Sequence, residues 1–387
     1  MKKVISLIML LAFGMFCVGP VAADEVSELK AQLQDMQSDM RRLMSRIETL
    51  EREKSRRMET PQDVADRVSS LERKLDSSTL SKLSSDTLKI GGFIQSYYKW
   101  AEESSGTDTF DVRRARLGLS GSIASDWSYK FVVDFTASGG NLIRDAKLAY
   151  KPLDWMRLTF GQQKIPFSYE KNTSAKKLDA IVSPQVTSNL TTDRDIGLMA
   201  DGKVLDDKIY YAVGVFNGTG KNSSDNNETK DVITRVLVSP FKDSYDEWLS
   251  GLTFGGSYQY GRQPESGTNV GERERIGGTM VYKYDRFKMV GEYIYQELEQ
   301  TDATYKYSDG WYVTTTYNVW DDLKAVARYE QYDPDRDADN DRNDIVTVGG
   351  RYTVNKYIAV DSNYRMKLEE GTDTDNNEFI IQTQVKF

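Results

Sequence analysis

The chain has 387 residues, a formal net charge of -8, no histidine and a single cysteine, Cys17. That composition excludes Ser-His-Asp and Cys-His catalytic triads, His-ligated zinc and a disulfide framework, and no cofactor or metal centre is expected. The acidic balance also speaks against nucleic acid as a partner, and the mean hydropathy is low at -0.58.

Residues 1–23 read as a secretory signal peptide. Lys2 and Lys3 precede an apolar run from Val4 to Val18, and the small residues Val21 and Ala23 mark a cleavage site before Asp24. No other apolar run is long enough to cross a bilayer as a helix. From 24 to 77 the period is helical. Val26, Leu29, Leu33, Met36, Met40, Leu43, Ile47 and Leu50 follow one another at alternating steps of three and four. This is the a/d pattern of a coiled coil, and an amphipathic helix lying on another surface is the alternative. Pro61 interrupts the helix, and the register resumes at Val64, Val68, Leu71 and Leu75. A Ser-rich linker, 78–87, follows.

From 88 to 387 the period changes to two. The last segment is typical: Phe379, Ile381, Thr383 and Val385 share one side, while Gln382, Gln384 and Lys386 share the other. About sixteen such strands begin near Leu88, Phe110, Trp127, Ile143, Trp155, Asp195, Lys208, Asp231, Leu252, Arg275, Phe287, Gly310, Leu323, Asp344, Ile358 and Glu378. Short turns such as Pro152-Leu153-Asp154 and Asp285-Arg286 alternate with long polar loops. The expected fold is an all-β transmembrane barrel, apolar toward lipid and polar toward its lumen, preceded by the helical segment. Short turns belong on the periplasmic side, which puts both barrel termini and the coiled coil in the periplasm. The 23 tyrosines suit interfacial girdles.

The longest connection, from about Pro166 to Arg194, is long enough to fold into the lumen and narrow it. Lys164, Lys171, Lys176, Lys177 and Arg194 would then border the permeation path; otherwise the loop caps the outside. Phasing each strand by its apolar residues turns Lys89, Lys99, Arg114, Arg116, Lys130, Lys147, Arg157, Lys203, Lys283, Lys288, Lys324, Arg328, Arg351, Arg365, Lys367 and Lys386 inward. The inward acids are Asp134, Asp145, Asp201, Glu292, Glu330 and Asp361. A lumen in which cations outnumber anions within a net acidic chain favours anions. Arg114, Arg116, Lys130, Lys147, Arg328 and Arg351 are the candidate anion pathway. The segment from Asp333 to Asp341 has carboxylates at alternate positions, as an EF-hand loop does. It lacks the central Gly and flanking helices, so a solvated outer loop is expected.

Several segments carry a family likeness. They are Arg113-Arg114-Ala115-Arg116-Leu117-Gly118, Asp145-Ala146-Lys147-Leu148-Ala149-Tyr150-Lys151-Pro152 and Gly161-Gln162-Gln163-Lys164-Ile165-Pro166-Phe167-Ser168. Arg194-Asp195-Ile196-Gly197, Gly214-Val215-Phe216-Asn217-Gly218, Ala327-Arg328-Tyr329 and the final Phe387 add to it. In this order they resemble the phosphate-selective porin O and P family of Gram-negative outer membranes. The resemblance implies a sixteen-stranded trimeric porin that draws anions along lumenal basic residues. It also implies that Phe387 belongs to the signal read by the insertion machinery. The expected function is passive diffusion of small anions, such as phosphate or related oxyanions. A structural anchor, tethering the envelope to peptidoglycan or a periplasmic protein through the coiled coil, is the competing reading.

Overall fold

The computed structural model describes residues 34–35, 37–49, 87–102, 106–264, 270–300, 302–369 and 374–387. The chain divides into two units, Met1–Ser81 and Lys82–Phe387. In the first, residues 37–49 are helical. Met40, Leu43 and Ile47, three of the a/d residues, are each more than half exposed. The expected signal peptide, the rest of the expected coiled coil and the linker up to residue 86 lie outside the described residues.

The second unit is a closed antiparallel barrel of sixteen strands. In chain order these are β1 (Lys89–Ala101), β2 (Thr109–Ser122), β3 (Trp127–Asp134), β4 (Ile143–Leu153), β5 (Met156–Lys164), β6 (Arg194–Val204), β7 (Ile209–Phe216) and β8 (Asp231–Val238). They continue with β9 (Thr253–Pro264), β10 (Val270–Tyr284), β11 (Phe287–Glu299), β12 (Tyr305–Asn318), β13 (Leu323–Asp333), β14 (Asn343–Thr353), β15 (Ile358–Glu369) and β16 (Glu378–Lys386). Each strand pairs with its neighbours in sequence, and β16 closes on β1. Closure satisfies every backbone ladder within the wall, which a bilayer demands because it offers no hydrogen bonds.

Alternation explains which face each residue takes. On β16, Phe379, Ile381 and Val385 are exposed on the outside, while Gln382 and Gln384 are buried inside. The sequence period locates most strand starts within a residue or so. It misses the starts of β10, at Val270 rather than near Arg275, and of β12, at Tyr305 rather than near Gly310. There both faces are polar (Glu272, Arg273 and Glu274; Lys306, Ser308 and Asp309), so the ladder continues where the hydropathy signal has stopped.

The seam depends on one glycine. Gly92 N donates to Phe387 O at 2.9 Å and Phe387 N returns a bond to Gly92 O at 3.1 Å. A Cβ on Gly92 would stand 2.5 Å from Arg116 O and 2.6 Å from the Phe387 ring. The terminal aromatic therefore fits only where residue 92 has no side chain.

The connection 165–193 folds inward. It carries α1 (Tyr169–Asn172), a 3-10 turn (Ala175–Lys177) and α2 (Gln185–Leu190). Ile165, Phe167, Val186 and Leu190 pack with Met199, Ala212, Phe216, Ile233, Val281, Val290, Ile294 and Tyr312, which line the inner face from β6 to β12. The barrel thus holds a hydrophobic core inside its own lumen. Burying one such side chain contributes roughly 1.5–3 kcal/mol. The loop packs onto β6–β12 through this core and bonds to β1 and β13–β16 through Gln95, Arg328, Arg351, Asn363 and Gln384, while cavities remain beside β1–β5.

Candidate functional site: a cationic passage along the first five strands

Three register shifts interrupt the ladders of this wall: one lies beside the β4–β5 turn, at Tyr150/Leu153, and the other two fall at arginines. Between β1 and β2 the register shifts at Gln95/Ser96, and Arg113 is the residue left without a partner. Between β3 and β4 it shifts at Val132/Val133, and Arg144 is the extra residue. A bulge turns a residue that would face lipid toward the side of its neighbours. Consecutive residues, Arg113 with Arg114 and Arg144 with Asp145, therefore border the lumen.

Two cavities meet at these arginines. One, of about 710 Å³, opens among Tyr97, Asp111, Arg113, Thr136 and Lys221 on the long-loop side. The other, of about 520 Å³, is lined by Lys89, Ser120, Lys130, Lys164, Lys171 and Lys176 toward the short-turn side. Arg114, Arg116 and Arg144 line both. They stand where the two cavities adjoin.

Ion pairs consume part of the charge. Arg116 Nε lies 2.6 Å from Asp134, and Lys130 lies 3.2 Å from Asp145. Arg194, buried, bridges Asp145 at 2.8 Å and Asp193 at 2.8 Å, while Arg144 also bonds to Asp193. Burial alone would raise the Asp193 carboxyl, but Arg194 and Arg144 outweigh it and hold the group at about 2. Other cations make no direct ion pair. Among the described residues no carboxylate pairs with Arg113, Arg114, Lys147, Lys164, Lys171 or Lys176. Arg114 Nη1 donates to Gln95 Oε1 at 2.8 Å, which fixes the guanidinium without neutralising it.

The loop supplies the opposite rim. Lys164 Nζ donates to the carbonyls of Lys171 and Thr173 at 2.6 and 2.7 Å, tying the start of the loop to its first turn. Lys176 lies over the Phe93 ring at 5.7 Å, and Lys177 is exposed. Ser168 takes a positive φ of 65° just before α1. It is held there by Glu292, which accepts from Ser168 Oγ at 2.9 Å and from Tyr169 N at 2.6 Å. Arg235 donates to Ser168 O at 3.1 Å.

The inward basic residues therefore divide by position. Arg114, Arg116, Lys130 and Lys147 stand on the first wall, with Arg116 and Lys130 paired. Arg328 and Arg351 also face in, but they grip the loop. Arg328 Nη1 donates to Val182 O at 2.7 Å, while Arg351 donates to Lys176 O at 3.2 Å and pairs with Asp361 at 2.6 Å. Lys288 and Lys324 both bind Asp179 of the loop, at 2.6 and 2.8 Å. Reading inner-face charge as pathway charge overlooks this, because alternation tells which side a residue faces and not what covers it. Arg144 and Lys221 escape sequence reasoning altogether, and Arg113 enters it only through the family likeness, since strand phasing turns it away from the lumen. A bulge leaves no trace in hydropathy, and Lys221 comes from a neighbouring long loop. In the loop after β13, Asp335 N and Asp337 N bond back to Asp333 and Asp335 side chains. No group of three potential metal ligands occurs among the described residues.

The fold is similar to those of solved porins. An outer membrane protein of Vibrio cholerae, OmpT in trimer form, superposes with a TM-score of 0.59 at 15% identity, covering 78% of this chain and 99% of that one. An anion-selective porin from Comamonas acidovorans gives 0.58 at 12% identity, with 78% and 98% covered. The outer membrane channel DcaP of Acinetobacter baumannii gives 0.57 at 14%, with 78% and 97% covered. No curated protein matches the chain. The model of the phosphate-selective porin O and P family matches residues 87–387, so this chain belongs to that family and is a porin, a channel rather than an enzyme.

Proposed function

We propose that this outer-membrane porin is a passive diffusion channel preferring small anions, phosphate and related oxyanions among them. One observation carries the reading. Two cavities inside the barrel lie along the wall that holds Arg113, Arg114, Arg116 and Arg144, while the loop packs its apolar residues against β6–β12. Cations lining a constriction raise the local anion concentration and repel cations. Several of them stay unpaired, which leaves donors for a passing oxyanion: Arg presents a planar fork and Lys a mobile point charge. Lys130 on the wall, with Lys164, Lys171 and Lys176 on the loop side, extends the cationic lining inward, and Lys147 pairs in register with Lys130 on the neighbouring strand.

Three copies assembling side by side is the expected arrangement, in keeping with the trimer named for the Vibrio cholerae protein. Phe387, whose strand closes the barrel, is assigned to the assembly signal. A planar-bilayer recording in a salt gradient tests the channel reading. A reversal potential of the sign for anion preference, with current reduced by added phosphate, is expected. Cation preference, or no open channel, would overturn it.

A structural role can coexist with permeation. Its support is the helix at residues 37–49, which presents Met40, Leu43 and Ile47 at heptad spacing and leaves them exposed. Such a face suits a coiled coil in the periplasm, reaching peptidoglycan or a periplasmic protein.

A further inference from the structure

Seven connections lie at the short-turn end of the barrel, and six are two or four residues long, as at 285–286 and 319–322. The seventh, between β8 and β9, runs for fourteen residues, 239–252, and includes α3 (Glu247–Ser250). A turn of this length on the otherwise economical side of a barrel is not needed to join two adjacent strands.

The segment is held firmly at both ends. Ser239 N donates to Lys208 O at 2.7 Å, and Ser239 Oγ meets Thr253 Oγ1 at 2.8 Å. Lys208 pairs with Asp243 at 2.9 Å, and Lys242 Nζ donates to Asp206 O at 2.8 Å. On the other side Lys283 N donates to Gly251 O, where a Cβ on Gly251 would come within 1.6 Å of Lys283 O. So the chain is pinned to the β6–β7 turn and to β10.

It presents three aromatics, interspersed with the exposed Lys242, Asp243, Asp246 and Glu247. Phe241 is 41% exposed, Trp248 56% and Tyr245 fully so. Exposed aromatics clustered on one short segment are costly in water and are the residues that gather at membrane interfaces, with an apolar body and, in Tyr and Trp, a polar tip. They also continue a surface that already faces lipid. Phe254 at the start of β9 and Tyr284 at the end of β10 are exposed on the outer wall just beside the segment, and Trp155 and Trp320 mark the same rim elsewhere.

We propose that the 239–252 connection is a membrane foot that seats Phe241, Tyr245 and Trp248 in the phospholipid interface at the periplasmic rim. The partner is the phospholipid leaflet itself. The foot would fix the height and tilt of the barrel on the side where the outer wall is richest in long strands, β9–β12.

The test uses nitroxide labels on the full chain with Cys17→Ser, placed by Tyr245→Cys and Trp248→Cys, in phosphatidylethanolamine/phosphatidylglycerol vesicles. Tyr284→Cys on the outer wall and Asp126→Cys in a short turn are the references. Collisions with oxygen and with a water-soluble nickel chelate are compared, on samples whose heat-modifiable gel migration shows a folded barrel. The oxygen-to-nickel ratio at 245 and 248 should lie several-fold above that at 126 and approach that at 284. A ratio equal to that at 126 would mean a solvated turn. Low access to both reagents would mean that protein covers the segment, and either result overturns the proposal. Phe241→Cys provides the same reading should either primary variant fail to fold.

Discussion

Arg114 shows how a single side chain acquires its role. Its neighbours Arg113 and Arg116 supply charge, Gln95 holds it without neutralising it, and it lines both cavities. Removing a unit charge a few ångströms from a passing ion costs on the order of 1 kcal/mol once solvent and salt have screened it. Arg114→Ala should therefore lower the anion-to-cation permeability ratio by about fivefold, read from reversal potentials, with little change in folding. Lys171 gives a second prediction, in pH. Burial lowers its ammonium below the ordinary lysine range, outweighing the opposing pull of Asp193 and Glu170. Its positive charge is therefore lost on alkalinisation before an ordinary lysine's would be. Anion preference should decline over that alkaline interval. Lys171→Arg, charged throughout, should abolish that part of the decline, whereas an unchanged profile would remove Lys171 from the pathway.

At the scale of the element, the inward loop decides where the pore runs. Phe167 is fully buried and fills a place inside the barrel that water would otherwise occupy. Phe167→Ala should destabilise the seat of the loop by about 3–5 kcal/mol. The expected consequence is a larger and noisier single-channel conductance with reduced selectivity, measured in planar bilayers. Conductance equal to that of the parent would mean the polar clamps suffice alone. Those clamps are Glu292 on Ser168 and Tyr169, Arg328 on Val182, and Lys288 with Lys324 on Asp179. The same elements show the limits of pattern. Arg328 and Arg351 have the alternation of pore-lining residues, yet they bond to the loop. Arg113 and Arg144 have the alternation of lipid-facing residues, yet bulges bring them to the lumen. Length alone made the loop a candidate for the interior; only its apolar contacts show which wall it covers.

At the scale of the whole molecule, the barrel and the N-terminal helix are separate units. The passage is built entirely from residues beyond Leu88, so deleting Asp24–Ser77 should leave conductance and selectivity at parental values. Attachment of the porin to the cell envelope, measured by co-sedimentation with peptidoglycan, should fall if the helix is a tether. A change in single-channel conductance would instead make the helix part of the pore. The sequence by itself determined the barrel, its sixteen strands, its closure at Phe387 and the basic character of its inner face. Those properties follow from a period of two and from a bilayer that admits no open edge. Tertiary structure alone decided which inner cations border the cavities and which bond to the loop. That depends on where a twenty-nine-residue loop, 165–193, finds apolar partners and where two ladders each gain one residue, and neither is encoded in the periodicity of any one strand.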